Sequence, residues 1–424
     1  MGTKIQKIKG TLDVLPSESR KWREVERCFS DVCRRFGYGE IRIPTMEYTE
    51  LFVRGVGDTT DVVNKEMYTF QDRGGRSISL RPEATAGVIR AFVENGMGSL
   101  PSPQKLYYQI SAFRAENVQA GRYREFHQLG IECFGANAPE ADAEVLALLS
   151  LFFQELGLKG VKLHLNSIGD LESRARYREA LLNYYRPLKS ELCEVCQTRL
   201  EKNPLRLLDC KEPHCRELAQ AAPKIADYLN ETSLAHFERV QALLNAMHVD
   251  YVLDPFIVRG LDYYTKTVFE FLLEDQSGGQ AGTLCGGGRY DGLVAQLGGP
   301  ACSGIGFSIG EERLLMTLNA QHLLEEDDEA LDLFILAVDE KGRAHAQALA
   351  MALRRLGFSL VTDLCERSFK AQMKAADRSG ARYLMVLGEN ELQSGKGQIK
   401  ALRSERAAYQ GTLDVDAIAA YIRE

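Results

Sequence analysis

Three arginines occupy a polar stretch, residues 114–124, that separates two segments of alternating polar and apolar residues. Arg114 directly follows the first segment, which is rich in aromatic and β-branched residues and is predicted to be a strand. A guanidinium held at the end of a strand is well suited to bind a phosphate, because its planar fork can donate two parallel hydrogen bonds. In the second segment, 126–134, Gln128 and Glu132 lie on one face, where they could bind a small polar substrate. The alternative is a surface hairpin whose loop contains only ion pairs.

Composition is that of an ordinary globular protein. The chain has 424 residues, of which 45% are hydrophobic and 26% charged, and this length allows roughly two or three domains. No apolar run is long enough to span a membrane, and the basic N-terminus lacks the apolar segment of a secretory signal. Ten scattered cysteines in a chain of this size do not have to form disulfides, so we expect a reducing, cytoplasmic compartment. The net charge of −7 argues against a generally basic nucleic-acid-binding surface but allows a local basic site.

Helices and strands alternate around the predicted hairpin. In chain order we predict a helix at 17–36, a short strand at 40–44, a hairpin at 67–80, a helix at 139–156 and a strand at 161–165. From 171 to 250 the apolar spacing is helical, and β-character returns at 251 and continues to 273. We therefore interpret 171–250 as a helical insertion in a β-rich domain.

The acidic run at 325–329 predicts a linker to a second domain. After it we predict strands at 331–338, 358–362 and 383–387, alternating with helices at 341–356 and 368–378. This βαβαβ pattern is typical of a parallel sheet. The tail 331–424 has 14 Lys+Arg against 12 Asp+Glu, a weak positive balance of the sign that an RNA contact requires.

Two glycine clusters, 286–288 and 304–310, do not match the common phosphate-binding loops. The second cluster has the wrong spacing for GxGxxG, and GxxxxGK[ST] does not occur in the chain. A bound nucleotide would therefore be held in another way.

Five short motifs occur in a fixed order along the chain: RPEAT at 81–85, FRAE at 113–116, RGLDYYT at 259–265, GGGRYDGL at 286–293 and GIGFSIGEERL at 304–314. Each alone is a weak signal, but the ordered set resembles the class II aminoacyl-tRNA synthetases, and most closely the histidyl-tRNA synthetase family. FRAE with GRYREFHQLGIE at 121–132 resembles motif 2 of that class, and GIGFSIGEERL resembles motif 3. The opening IKGTLDVLP, with the helix and strand that end at Pro44, resembles the dimer-forming motif 1.

The resemblance covers essentially the whole chain and implies its architecture. It implies an α+β catalytic domain with an antiparallel sheet (the class II synthetase fold) at 1–170 and 251–324, a helical insertion domain at 171–250, and a C-terminal α/β anticodon-binding domain at 331–424. It further implies a cytoplasmic homodimer that activates L-histidine with ATP and Mg²⁺ and transfers it to the histidine tRNA.

One alternative is not an enzyme. A non-catalytic paralogue of this family senses histidine as the regulatory subunit of ATP phosphoribosyltransferase; it typically lacks the anticodon-binding domain and has degraded arginine motifs. Here the tail is present, and Arg114, Arg259 and Arg313 are in place. Another class II synthetase of the same subclass would not contain RGLDYYT.

Residue roles follow from the same resemblance. Arg114 and Arg259 are the implied catalytic residues, on opposite sides of the α-phosphate, where charge accumulates when the histidine carboxylate attacks. The residues implied for ATP are Arg114, Glu116, Arg122 and Arg313. The residues implied for histidine are Glu83, Ala84, Thr85, Arg114, Gln128, Glu132, Arg259, Tyr263, Tyr264 and Tyr290. Of these, Glu132 and Tyr264 would bind the imidazole, and an analogue without its nitrogens would leave buried polar groups unpaired.

Two segments depart from the family pattern. Where many bacterial relatives have ERPQ in the central loop, this chain has ENVQ at 116–119, so Gln119 is the predicted contact for the tRNA acceptor end. Within the insertion, CxxC and CxxxxC motifs separated by 13 residues suit a structural, tetrahedral Zn²⁺ site; their cysteines are Cys193, Cys196, Cys210 and Cys215. The alternative is four reduced cysteines with no ligand role. We expect Cys133 and Cys285 to be packing residues and His127 to point into the core.

Overall fold

The chain divides into two units, Met1–Leu324 and Glu325–Glu424, in the computed structural model. The structure describes residues 4–57, 60, 62–257, 263–274, 280–324 and 331–424, and for 280 and 281 the backbone alone. The predicted acidic linker at 325–329 lies outside the described residues.

The helices of the described residues are α1 (Pro16–Arg35), α2 (Thr49–Val56), α3 (Thr85–Glu94), α4 (Pro139–Glu155), α5 (Leu171–Tyr185), α6 (Glu194–Lys202), α7 (Pro213–Gln220), α8 (Glu231–Ala246), α9 (Leu293–Gln296), α10 (Glu311–Ala320), α11 (Glu340–Arg355), α12 (Phe369–Arg378), α13 (Glu389–Ser394) and α14 (Val415–Arg423). The strands are β1 (Gly39–Glu40), β2 (Met46–Tyr48), β3 (Thr69–Gln71), β4 (Ser77–Leu80), β5 (Gln104–Phe113), β6 (Glu125–Phe134), β7 (Val161–Ser167), β8 (Tyr251–Leu253), β9 (Thr265–Glu274), β10 (Gln280–Arg289), β11 (Gly304–Gly310), β12 (Leu333–Ala337), β13 (Leu360–Thr362), β14 (Tyr383–Leu387), β15 (Lys396–Ala401) and β16 (Tyr409–Thr412). No described helix is both long and apolar enough to cross a bilayer.

An eight-stranded sheet is the centre of the first unit, with the order β1-β5-β6-β11-β10-β9-β7-β8. Its six inner strands pair antiparallel, which confirms the predicted antiparallel sheet, and the two edge strands pair parallel. One face is covered by α1 and α4, where the rings of Phe29 and Phe152 pack edge to face with centroids 5.2 Å apart. The other face packs against α3 and, over β6, β10 and β11, forms the wall of a cleft.

The predicted strand at 40–44 is shorter than expected. Only Gly39–Glu40 pairs with β5, and the Ile41 N–H donates one further hydrogen bond to the Tyr107 carbonyl at 2.8 Å. The chain then leaves the sheet before Pro44, whose nitrogen has no hydrogen to donate to a neighbouring strand. The hairpin that follows is as predicted: β3 and β4 pair antiparallel, and β2 adds to β4.

Between β7 and β8 the chain forms α5 to α8, in agreement with the helical pattern of 171–250. Helices α5 to α7 enclose their own apolar cluster, which includes Tyr177, Tyr185 and Leu200. In α8, by contrast, Phe237 and Val240 pack with α4 in the core of the large sheet.

The second unit has a five-stranded sheet with the order β13-β12-β14-β15-β16. The predicted parallel βαβαβ arrangement holds for β12, β13 and β14, but the sheet is mixed, because β15 and β16 add antiparallel strands. The sequence did not predict β15 because its buried face consists of Gly397, Ile399 and Ala401. Gly397 and Ala401 are too small to give a clear alternating apolar signal.

Candidate active site

A cleft of about 580 Å³ lies over the face formed by β6, β10 and β11. The structure brings together in its wall eleven of the residues predicted from sequence: Glu83, Thr85, Arg114, Glu116, Arg122, Gln128, Glu132, Tyr263, Tyr264, Tyr290 and Arg313. Ala84 is buried outside this wall, and Gln119 forms a tight turn with Arg122 instead of facing the cleft. Arg259 lies outside the described residues.

Glu132 and Gln128 occupy the deepest part of the cleft because they alternate along β6 with Leu129 and Ile131, which point into the opposite core. The Tyr290 hydroxyl donates a hydrogen bond to Glu132 Oε2. Burial raises the pKa of the Glu132 carboxyl to about 8. Among the described residues, Glu132 Oε1 and Gln128 Oε1 have no hydrogen-bond partner. Two buried polar oxygens that face a cleft without a partner call for hydrogen-bonding groups of a ligand.

The glycines of β10 and β11 make this arrangement possible, and sequence reasoning left them without a role. A Cβ atom on Gly306 would collide with Glu132 Oε2, and one on Gly304 would collide with the Tyr290 ring. Gly304, Gly306 and Gly310 are separated by even numbers of residues, so in a strand they share one face. That period of two was the signal that could have identified them as the floor of a site rather than a phosphate loop.

Glu83 closes the cleft beside α3. Its carboxylate accepts hydrogen bonds from the backbone N–H groups of Thr85 at 2.7 Å and Ala86 at 2.9 Å, so it caps the helix. Burial raises the pKa of this carboxyl, although the two N–H donors act in the opposite direction. Each oxygen keeps a second lone pair for a cationic ligand group.

The cationic end of the cleft is formed by Arg114, Arg122 and Arg313. Arg114 Nε donates to the Pro82 carbonyl at 2.9 Å, and its guanidinium lies over the Phe126 ring, 5.2 Å from the centroid, so it is held at the strand end. Arg122 Nη1 lies 3.3 Å from a Glu116 oxygen, and Arg114 Nη1 lies 3.7 Å from the other.

Arg313 is anchored differently. Its Nη1 donates to the Thr283 carbonyl at 2.6 Å, and burial together with the charge of Arg122 lowers the pKa of its guanidinium. Three guanidinium groups, two of them close to Glu116, form an anion-binding surface.

The sequence also offered no indication of a buried ionic network behind the site. Asp142 of α4 accepts hydrogen bonds from the fully buried Arg289, from His236 Nε2 at 2.8 Å and from Thr267 Oγ1 at 2.5 Å. Arg289 is adjacent in the chain to Tyr290, so the network fixes the strand end that carries the Tyr290 side chain into the cleft. The four residues come from segments far apart in sequence, and no local pattern connects them.

His127 and the two expected packing cysteines also have defined places. His127 is not inserted in the apolar core; its Nδ1 lies 2.8 Å from Glu312 Oε1 and its ring packs edge-on against Trp22. Cys133 and Cys285 are buried in the main apolar cluster, as expected.

Three residues of the helical segment, Arg206, Asp209 and Lys211, also line the cleft. They follow α6 and precede α7, and nothing in their local sequence predicted a place in the site. The motif-bearing strands therefore form only part of the cleft wall.

The four cysteines of the insertion, hereafter the four-cysteine cluster, converge at one point. Their Sγ atoms all lie within 4.8 Å of one another, and Cys193 Sγ is 3.9 Å from Cys210 Sγ. Four thiolates about 2.3 Å from a central Zn²⁺ ion in tetrahedral geometry would have sulfur–sulfur separations of about 3.8 Å. The Cys193 N–H also donates to Cys215 Sγ at 3.4 Å. Donor type and spacing therefore fit a zinc ion.

The fold and the cleft define a class II aminoacyl-tRNA synthetase: an antiparallel sheet carries the motif 2 hairpin β5–β6 and the motif 3 strand and helix, β11 and α10. A family model described as Histidyl-tRNA synthetase matches residues 10–314, and one described as Anticodon binding domain matches 332–424. The chain belongs to the histidyl-tRNA synthetase family.

Individual histidine–tRNA ligases are similar to this chain over nearly its whole length. A histidine–tRNA ligase of Acetivibrio thermocellus is 52% identical over 399 residues, which are 94% of this chain and 95% of that protein. One of Bacillus cytotoxicus is 50% identical over 421 residues, 99% of each. The crystal structure of apo S. aureus histidyl-tRNA synthetase has a TM-score of 0.84 at 40% identity and covers 99% of this chain and all of the other.

Proposed function

We propose that this chain is a histidine–tRNA ligase that forms histidyl-adenylate and pyrophosphate from L-histidine and ATP, and then transfers histidine to the 3′-terminal ribose of its tRNA. The observation that carries the proposal is one cleft that has Glu132 and Gln128, each with an unpaired buried oxygen, at one end and three arginines at the other. Such a cleft aligns a small polar amino acid with a polyphosphate.

Histidine occupies the Glu132 end in this proposal. Glu132 and Tyr264 bind the two imidazole nitrogens, while Tyr263 and Tyr290 line the pocket. The α-amino group binds beside Glu83, Thr85 and Gln128. Support comes from the burial of Glu132, since a histidine analogue lacking the imidazole nitrogens would leave the Glu132 carboxyl unsatisfied, which costs roughly 10⁴-fold in selectivity.

ATP occupies the arginine end. Arg114 binds the α-phosphate, Glu116 lies on the adenine side, and Arg122 and Arg313 bind the outer phosphates. Enzymes of this class use ATP with Mg²⁺, and Glu270 and Glu312 contribute to the cleft wall the carboxylate oxygens that Mg²⁺ prefers. The histidine carboxylate attacks the α-phosphorus and pyrophosphate leaves, so the chain supplies alignment and positive charge rather than a nucleophile. The role of Arg259, opposite Arg114, rests on the resemblance.

We place the catalytic domain at 1–170 and 251–324, the insertion domain at 171–250 and the anticodon-binding domain at 331–424, with Gln119 near the tRNA acceptor end. The four-cysteine cluster binds a structural Zn²⁺ ion. The cytoplasm is the proposed compartment, because a chain of this size with scattered cysteines does not depend on disulfides for its stability.

A homodimer is supported by exposed apolar side chains around the small sheet, namely those of Met46, Tyr48, Val53 and Phe70. Clustered exposed apolar residues of this kind are typical of protein–protein interfaces. The histidine-sensing regulatory alternative is disfavoured, since an anticodon-binding domain matches at 332–424 and the curated relatives are ligases.

Histidine-dependent exchange between ATP and pyrophosphate tests the proposal. Wild type should catalyse exchange with histidine and not with other amino acids, and Arg259→Ala should lose at least about 100-fold of that activity. Histidine binding without any exchange in the wild type would refute the ligase function and favour a sensor. The control is Arg76→Ala, an exposed arginine paired with Asp72 on the β3–β4 hairpin.

A further inference from the structure

Cys210 of the four-cysteine cluster is adjacent in the chain to two residues of the cleft wall. Asp209 precedes it and Lys211 follows it, and both line the same cleft as Arg114 and Glu132. A displacement of Cys210 must therefore move both cleft residues, because consecutive Cα atoms are about 3.8 Å apart.

The segment around Cys210 has little regular structure of its own. A short helical turn covers Pro204–Leu207, the Cys210 N–H donates to the Leu207 carbonyl at 3.2 Å, and no helix or strand is present from 208 to 212. The other cysteines are on firmer elements: Cys193 caps α6, Cys196 lies in its first turn, and Cys215 lies in the first turn of α7. A metal ion shared by the four thiolates would cross-link this segment to both helices.

We propose that one Zn²⁺ ion bound by the four-cysteine cluster positions the segment 204–215, and that this fixes Asp209 and Lys211 in the wall of the active site. Asp209 and Lys211 are thus positioning or substrate-contacting residues supplied by the insertion, and zinc controls them without taking part in the chemistry. The inference deepens the proposed function and rests on it for the identity of the cleft. Neither residue belongs to the five short motifs of the sequence analysis.

Without the ion, Leu205, Leu207 and Leu208 still pack in the apolar cluster of α5 to α7, but the four thiols contribute only weak contacts. Neutral thiols are poor hydrogen-bond donors and acceptors, whereas thiolate–zinc bonds contribute folding free energy directly. Amide protection of the segment 204–215 should therefore be greater in the zinc-loaded chain than in the zinc-free chain.

The first measurement is metal content of the full-length protein. We expect about one zinc per chain, and after exchange into Co²⁺ the visible absorption of a tetrahedral tetrathiolate site. The double variant Cys193→Ser/Cys196→Ser should lose both signals, and Cys365→Ser, an exposed cysteine of the second unit, should keep them. Absence of zinc and of the cobalt spectrum from the wild type would overturn the proposal.

The second measurement tests the coupling and does not require a folded cysteine variant. Zinc is removed from the wild type with a chelator under reducing conditions and then restored. Removal should increase amide hydrogen exchange in 204–215 and raise the KM for ATP in pyrophosphate exchange about tenfold or more, and zinc should reverse both. Zinc-loaded Lys211→Ala and Asp209→Asn should retain about one zinc per chain and reproduce the kinetic loss.

Unchanged hydrogen exchange and an unchanged KM after zinc removal would overturn the coupling. Zinc-dependent protection of 204–215 in a wild type that lacks histidine-dependent exchange would support the metal site while refuting the proposed ligase function. The two proposals therefore fail in different measurements.

Discussion

The Tyr290 hydroxyl reaches Glu132 Oε2 across the intervening strand β11, at the point where that strand has Gly306. The two residues are 158 positions apart in sequence. Their hydrogen bond defines the base of the pocket and keeps the Glu132 carboxyl away from water. Because of that burial, the raised pKa of Glu132 keeps the carboxyl protonated near neutral pH.

Histidine binding should therefore depend on pH in a defined way. The imidazole of free histidine is protonated below about pH 6.5. The Glu132 carboxyl, with a pKa of about 8, loses its proton above about pH 8. In the complex, the imidazole and the Glu132 carboxyl share one proton. The value of kcat/KM for histidine in pyrophosphate exchange should therefore be greatest between these two pH values, and well above the pKa of Glu132 it should fall about tenfold per pH unit. Glu132→Gln should lose the alkaline fall. The same alkaline fall in the wild type and in Glu132→Gln would show that Glu132 is not the group that titrates.

Gly306→Ala should damage the pocket and the fold together. The added methyl group would collide with Glu132 Oε2 and the Ile131 carbonyl. We expect a loss of roughly 1–3 kcal/mol in the free energy of unfolding, measured with urea, and weaker histidine binding. Gly310→Ala is the matched control for stability, because no atom lies within 4 Å of its added Cβ. Equal stability of Gly306→Ala and Gly310→Ala would show that the space between residue 306 and Glu132 accommodates a methyl group.

Asp142→Asn should destabilise the chain far more than a surface substitution does. Burial alone would raise the pKa of Asp142, but hydrogen bonds and charge from His236 and Arg289 hold it below its usual range. Without the carboxylate, Arg289 is a buried cation lacking its main partner, at a cost of about 3–5 kcal/mol in unfolding free energy. Since the folded pKa is lowered, the stabilisation is present above about pH 3.9 and is lost as pH falls through the folded value.

Asp31→Asn is the control for Asp142→Asn. Its carboxylate pairs with Arg27 at 3.4 Å on the exposed side of α1, so its loss should cost less than about 1 kcal/mol. Urea unfolding of both variants at neutral pH makes the comparison. Similar losses would mean that the Asp142 network is no more than an ordinary ion pair.

Arg114→Lys should separate the guanidinium fork from the charge. Lysine keeps the positive charge but cannot donate to the Pro82 carbonyl and to a phosphate from one rigid plane. We expect kcat/KM for ATP in pyrophosphate exchange to fall about 10² to 10³-fold, with little change in unfolding. Arg76→Lys on the exposed hairpin should match the wild type. A fall of less than threefold for Arg114→Lys would show that charge alone is sufficient.

The amino-acid sequence by itself determined most of the local elements and the shared face of two cleft residues, whereas most of the other cleft residues were named from the resemblance to the synthetase family. Alternation along β6 placed Gln128 and Glu132 on one face, because successive strand side chains point to opposite sides, and the structure confirms this. Helical spacing likewise predicted α1, α4 and the helices of 171–250. These properties depend on residues a few positions apart, so a single sequence contains them.

Only the tertiary structure decided which distant residues meet. It paired Tyr290 with Glu132, gathered Asp142, Arg289 and His236 into one buried network, and brought Asp209 of the insertion into the cleft. These contacts join residues that are far apart in the chain, and they depend on strand order, register and packing. The periodicity of side chains along one helix or strand does not contain strand order, register or packing, because the same periodicity occurs whichever partner the element meets.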